Sequence, residues 1–215
     1  MNAIEFKDYQ KAVKRNTVLD IPSLSLSQKQ IHGFWGHNGS GKTMLFRAVS
    51  GLIHPDSGYV SVFGKKIGED CSFPDNLGLL IEHIGFWPQV SGMDNLRFLA
   101  SIKSKINDND ILNALDRIGL SRESAEKKYS TYSLGMKQKL AIAQAIMERP
   151  DLLILDEPSN SLDEKSVEAL WKIIHEEKAN GATVLISSHH KEELTLCDCI
   201  YKVDSGTVKK IEENF

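Results

Sequence analysis

What the chain lacks narrows its identity before any motif is read. Its 215 residues hold only three cysteines, Cys71, Cys197 and Cys199, too few and too unevenly spaced for a disulfide framework. Cys197-x-Cys199 has no second ligand pair beside it, so ordinary buried thiols are expected there rather than a zinc site. A reducing, cytosolic compartment is expected with them. No run approaches the roughly 18–20 consecutive apolar residues of a membrane-spanning helix. The start, Met1-Asn2-Ala3-Ile4-Glu5, lacks the basic-then-apolar order of a secretory leader. Positive charge is not in excess either: 26 Lys and Arg stand against 29 Asp and Glu, a formal net charge of −3. That balance removes the footprint of sequence-independent nucleic-acid binding, so no nucleic-acid partner is expected. With 41% hydrophobic and 26% charged residues, what remains is the composition of an ordinary globular chain with one substantial core.

Short apolar runs alternate with helix-spaced patterns, the mark of an α/β chain with a largely parallel sheet. The first fifty residues read as strands joined by turns, closing on Ile31-His32-Gly33-Phe34-Trp35. A helix follows, with Leu45, Phe46 and Val49 inward and Gly51 as its stop. Residues 91–147 are predominantly helical, with apolar residues at helix spacing over 95–102 and 110–118 and a turn and cap at Asn107-Asp108-Asn109. After Pro150 the strand–helix rhythm resumes. Leu152-Leu153-Ile154-Leu155 has no polar alternation and reads as a strand covered on both faces. Val167, Leu170, Trp171 and Ile174 are spaced to face a core; that helix ends at Asn180-Gly181, and 183–187 forms another buried strand. Residues 200–211, broken at Asp204-Ser205-Gly206, read as a terminal hairpin. No repeat, low-complexity tract or long linker interrupts the chain, and no appended regulatory domain is expected.

Gly36-His37-Asn38-Gly39-Ser40-Gly41-Lys42-Thr43 has the full P-loop spacing, after a strand and before a helix. Glycines let the backbone curl until successive amides point at one anion, and the helix N-terminus adds partial positive charge at the same place. Lys42 is the residue to bridge the outer phosphates of a nucleoside triphosphate, and the Thr43 hydroxyl the one to ligate Mg²⁺. Met44 offers only its backbone amide. The apolar strand 152–155 delivers Asp156-Glu157 at its carboxyl end, beside the loop, where such sheets bind ligands. Two adjacent acids divide the work: Asp156 for the metal shell, Glu157 to polarise a water for in-line attack.

Tyr132-Ser133-Leu134-Gly135-Met136-Lys137-Gln138 is physically a helix start, with Ser133 able to cap and Gly135 exposing backbone amides. At this position, ahead of Gln144-Ala145-Ile146 and the Pro150 break, it resembles the signature of the ABC transporter ATPases, with Leu134 and Met136 in place of the usual first glycine and glutamine. Further segments fall in register. Ser161-Leu162-Asp163 resembles the family's D-loop, His189 its switch histidine (His190 being the weaker candidate), and Gly206 fits its closing hairpin. The resemblance implies one ABC ATPase domain over 1–215: a P-loop core (1–90 and 150–215) with a mainly parallel sheet and an N-terminal antiparallel β part, and a helical subdomain over about 91–149. It also implies two ATPase subunits, as a homodimer or a heterodimer, packed head to tail. Ser133, Leu134, Gly135 and Met136 then complete the partner's ATP site, and integral-membrane permease subunits place the protein at the cytoplasmic face of the plasma membrane.

Some positions depart from the family pattern. Glu82, in Leu79-Leu80-Ile81-Glu82-His83, stands where the family has a glutamine between Mg²⁺ and the permease; a carboxylate accepts from a metal-bound water but cannot donate as an amide does. Val13 falls where an aromatic ring usually stacks on adenine, with Tyr9 out of register, so weaker base stacking is expected. The Glu82 segment and the Ser-Leu-Gly-Met signature resemble the branch of peptide-antibiotic exporters, which serves bacitracin resistance and lantibiotic immunity. Ile84, Phe86, Trp87 and Pro88 form an aromatic cluster suited to docking a short permease helix. A stand-alone ABC ATPase is the competing reading, but its relatives carry a coiled-coil insertion or two ATPase domains in one chain. An ATP-dependent dimerisation switch without turnover is the other, and Glu157 argues against it. A GTPase would carry an Asn-Lys-x-Asp motif, which is missing.

Overall fold

In the computed structural model, residues 1–81 and 85–211 are described. The chain opens with two long strands, β1 (Asn2–Val13) and β2 (Asn16–Ser27), joined by a tight turn at Lys14-Arg15, where both residues have positive φ. β3 (Ile31–Trp35) leads into α1 (Lys42–Ser50), and β4 (Ser57–Val62), β5 (Lys65–Lys66) and β6 (Leu77–Leu80) follow. Four helices come next: α2 (Gly92–Lys103), α3 (Asp108–Arg117), α4 (Arg122–Ala125) and α5 (Leu134–Ile146). The chain then returns through β7 (Leu152–Leu155), α6 (Glu164–Ala179), β8 (Thr183–Ser188), β9 (Cys199–Asp204) and β10 (Thr207–Lys210).

The strands form two sheets. β2-β1-β4-β5 is antiparallel throughout. In the six-stranded sheet, β10-β9-β3-β8-β7-β6, every neighbouring pair is parallel except the closing β9–β10 hairpin. Because side chains alternate along a strand, the apolar strands of this sheet feed two cores. Leu153, Leu155, Val184 and Ile186 pack against the helices α2, α3, α5 and α6. Leu152, Ile154 and Leu185 pack on the other face, against α1 and the antiparallel sheet.

Local signals set the boundaries. Gly51 closes α1 in the left-handed conformation, φ 83°. Asn107 alone caps α3 in a reciprocal box with Asp110, so Asp108 and Asn109 already belong to the helix rather than to the turn expected there. On α6, Leu170, Trp171, Ile173 and Ile174 are buried, whereas Val167 is only partly so. Arg117 at the end of α3 pairs with Glu176 at 3.0 Å and with the buried Glu177 at 2.7 Å, tying the helical region to α6. The expected aromatic cluster divides: Phe86 is buried against Tyr129, while Trp87 is 57% exposed. Ile84 lies outside the described residues. No helix among the described residues is long and apolar enough to cross a membrane.

Candidate active site

β3 ends at Trp35 and the chain curls through Gly36–Gly41 into α1. The curl requires glycine at Gly36, where a Cβ would sit 2.4 Å from the Val203 carbonyl oxygen and 2.6 Å from Ser40 Oγ. α1 starts without a side-chain cap and without an acidic residue in its first turn. Its first amides and dipole are therefore left for an anion. Lys42 is folded back over the loop, donating to the carbonyls of Gly36 (2.6 Å) and His37 (3.3 Å), with its Nζ 3.4 Å from Glu157 Oε1.

The cleft in front of the loop, about 310 Å³, is lined by His37, Asn38, Gly39, Ser40, Gly41, Lys42, Thr43 and Met44, with Asp156 and Glu157 at its back. Gly36 lies beneath the loop and contributes its carbonyl to Lys42 rather than a wall to the cleft. The outer wall is Thr17, Val18, Ser205 and Gly206. Val13 is not among the lining residues, and Tyr9 is wholly buried in the antiparallel sheet's core. The hairpin turn is pinned to the loop, Gly206 N–H donating to the Ser40 carbonyl at 2.9 Å.

Asp156 and Glu157 follow β7 as the sequence implies, but their surroundings differ. Asp156 is buried and accepts from Thr43 Oγ1 at 2.6 Å and from Ser187 Oγ at 2.5 Å. Burial raises its carboxyl above the ordinary carboxylate range and the neighbouring Glu157 charge adds to that, against the Ser187 and Thr43 hydrogen bonds and Lys42. Glu157 turns its backbone into the left-handed region, φ 48°, with its N–H donating to Ser187 Oγ at 2.9 Å. Its Oε2 lies 2.7 Å from His189 Nδ1 and accepts from the His189 backbone N–H at 3.3 Å. Of the two adjacent histidines, His189 meets the carboxylate; the His190 ring lies beside that of His189, tilted by 40° with centroids 4.1 Å apart.

Among the described residues no cluster of three or more His, Cys, Asp and Glu could hold a metal ion unaided. The Cys197 thiol is pushed up to about 12, by burial first and then by Asp198 and Cys199, which keeps it an unreactive thiol at neutral pH. Thr43 and Asp156 together offer a hydroxyl and a desolvated carboxylate, hard oxygen donors that fit Mg²⁺ where phosphate oxygens complete the shell. Glu82 lies outside the described residues.

The signature segment forms a separate surface. Ser133 caps α5, accepting from Met136 N–H at 3.2 Å. Ser133, Gly135 and Met136 line a second cleft of about 390 Å³ with Ser161, Leu162, Asp163 and Lys139. Leu134 points outward, 68% exposed. Asp163 caps α6 through Ser166. Gln138 Nε2 donates to the Pro158 carbonyl at 2.9 Å, tying the signature helix to the segment after Glu157. The two clefts share no lining residue. Sequence reasoning missed Ser187, Ser159, Glu193 and Gln138. Ser187-Ser188, polar residues closing an apolar strand beside a histidine, were the one available signal; a lone Glu193 in a run of charges gave none.

A family model described as ABC transporter matches residues 19–160. An uncharacterized ABC transporter ATP-binding protein of Bacillus subtilis, YybJ, is 46% identical over 98% of this chain and 96% of its own length. The bacitracin transport ATP-binding proteins BcrA of Enterococcus faecalis and Bacillus licheniformis are 38% and 35% identical over 89% and 98% of this chain. The chain spans only 62% and 69% of those two proteins. Among solved structures, the dimeric bacterial ABC transporter cassette MJ0796 superposes with a TM-score of 0.89 at 21% identity, covering 98% of this chain and all of that one.

Proposed function

This chain belongs to the ABC transporter family as an ATP-binding subunit and is an ATPase, and on that premise we propose which of its residues bind, position and hydrolyse the nucleotide. His37 to Thr43, with the Met44 amide, cradle the phosphates. Lys42 exchanges the Gly36 and His37 carbonyls for the outer phosphate oxygens. Thr43 and Asp156 hold Mg²⁺, which when bound neutralises charge on the phosphates. Glu157 takes the proton of the attacking water, and His189, already joined to Glu157, holds that carboxylate and faces the terminal phosphate. The hydrogen-bonded Glu157–His189 pair beside Lys42 is the observation that carries this assignment.

The signature cleft lies apart from this cradle, so a second ATPase subunit is needed to close the site. Its Ser133, Leu134, Gly135 and Met136 then meet the ATP held here, in a homodimer or heterodimer. Trp87 and Phe98, edge to face at 4.9 Å and both largely exposed, are the docking point for a permease helix that holds the protein at the cytoplasmic face of the membrane. The likeness to the bacitracin transport proteins supports peptide antibiotics as cargo, in an exporter or an immunity system.

Glu157→Gln tests the core of this assignment. It should leave ATP affinity within about threefold and lower turnover by about 100-fold or more, the scale of a lost general base. Unchanged turnover would remove Glu157 from the reaction. Copurification of multi-span subunits in mild detergent tests the transport role; recovery of only soluble partners would favour a stand-alone ATPase.

A further inference from the structure

Glu193 lines neither the phosphate-loop cleft nor the signature cleft, yet one of its oxygens joins the two segments that carry the proposed base and switch histidine. Its Oε2 accepts from Ser159 Oγ at 2.9 Å and from Ser188 Oγ at 2.9 Å. Ser159 is two residues beyond Glu157. Ser188 immediately precedes His189, and its hydroxyl oxygen accepts from the His190 N–H at 2.9 Å. Ser188 is completely buried, and Glu193 itself is half-buried.

The residue that supplies this oxygen is anchored from behind. Glu193 belongs to a short 3₁₀ segment, Glu192–Leu196, whose Leu194 is fully buried. Leu194 packs so closely under β3 that a Cβ on Gly33 would lie 3.1 Å from it. β3 is the strand that feeds the phosphate loop. One carboxylate oxygen therefore ties both segments to the same strand. Glu157 and His189 also bond each other directly, and Ser187 Oγ holds the Glu157 N–H, so the Glu193 bridge is a further tie between the two segments, made behind the reacting groups.

Resting on the assignment of Glu157 and His189 made above, we infer that Glu193 is a positioning residue for hydrolysis: its carboxylate braces Ser159 to Ser188 and so sets the Glu157–His189 geometry without touching nucleotide. Two hydroxyl donors sharing one acceptor hold the two segments at fixed separation, and misplacing reacting groups by about 1 Å costs up to about 100-fold in rate.

The experiment is a turnover and ATP-binding comparison on the full chain in its ATP-loaded assembly. Glu193→Ala should lower kcat about tenfold while the KM and Kd for ATP stay within about twofold, because the cradle is untouched. Glu193→Gln, whose amide oxygen can still accept both hydroxyls, should recover at least half of the rate. Ser159→Ala and Ser188→Ala should each slow turnover and add nothing further in the Glu193→Ala background, since all three remove one brace. Amide exchange gives a reading independent of turnover: the His190 N–H should exchange faster in Glu193→Ala, and the P-loop amides should not. Unchanged kcat, ATP affinity falling in step with kcat, or a glutamine as damaging as alanine would each overturn the brace. Glu157→Gln is run alongside. If it leaves turnover intact, the assignment of the base fails; if it abolishes turnover while Glu193→Ala leaves kcat unchanged, the brace alone fails. Should Glu193→Ala fold poorly, the Ser159→Ala/Ser188→Ala pair removes both bonds and leaves Glu193 in place.

Discussion

Around Asp156 and Glu157 the polar contacts come from distant segments: Thr43 from α1, Ser187 from the end of β8, His189 from the loop beyond. Around Ser133 the contacts are local, a cap to Met136 within the same turn, with the Leu134 side chain left in solvent. One half of the site is assembled before ligand arrives and the other presents an open helix start. The difference follows from when each meets charge. Dipoles and cations that must stabilise a transferring phosphoryl group act best when already oriented. A surface that meets the ligand only after a second subunit docks gains nothing from being enclosed beforehand.

The sharpest way to test that contrast is to damage each half separately. Lys42→Ala removes the cation from the built half, so ATP affinity of the single chain should fall about 100-fold, the scale of one or two charge-assisted hydrogen bonds. Equilibrium binding measures it, and near-normal affinity would contradict the phosphate role of Lys42. Gly135→Asp strikes the open half. A Cβ at Gly135 would lie 2.9 Å from the Ser161 carbonyl oxygen, so the side chain presses on the neighbouring loop, and its charge opposes an incoming phosphate. Single-chain ATP affinity should change less than about threefold, while ATP-dependent pairing and turnover fall by about tenfold or more. Light scattering with and without ATP reads the pairing; loss of affinity in the isolated chain would merge the two halves.

The built half was also the more legible in sequence, for a physical reason. A P-loop needs glycines at fixed spacing because backbone must approach backbone, as Gly36 does with Val203, and that constraint is written in residue type. The two-sided burial of 152–155 was legible because alternation is absent where both faces are covered. Contacts made by ordinary polar residues across long separations were not. Asn95 looked like one polar residue on an amphipathic helix, but it is buried and bonds the backbone of Trp87 and Ser91, fixing the loop ahead of α2. Glu193 was hidden in the same way.

The smallest expected effect concerns the cost of building a charged site in advance. Asp156 is held above its ordinary value chiefly by burial, so its charged form is disfavoured in the empty fold. A carboxyl whose folded value is raised binds protons more readily folded than unfolded. Its unfavourable contribution is therefore fully developed at neutral pH and disappears as the pH falls through the raised value. Asp156→Asn should raise the melting midpoint of the nucleotide-free chain by about 2–4 °C at pH 7.5, the shift expected for roughly 1 kcal/mol in a chain of this size. The gain should shrink towards zero as the pH is lowered to about 4, the ordinary aspartate value, because the raised folded carboxyl takes up its proton before that point. The same variant should bind Mg²⁺ with ATP more weakly than wild type, so that added nucleotide reverses the order of stability. Scanning calorimetry at the two pH values, with and without Mg²⁺ and ATP, reads all of this. An Asp156→Asn chain less stable than wild type at both pH values would mean that the Thr43 and Ser187 hydrogen bonds outweigh the cost of burial, and that this half of the site is stabilised rather than strained by its charge.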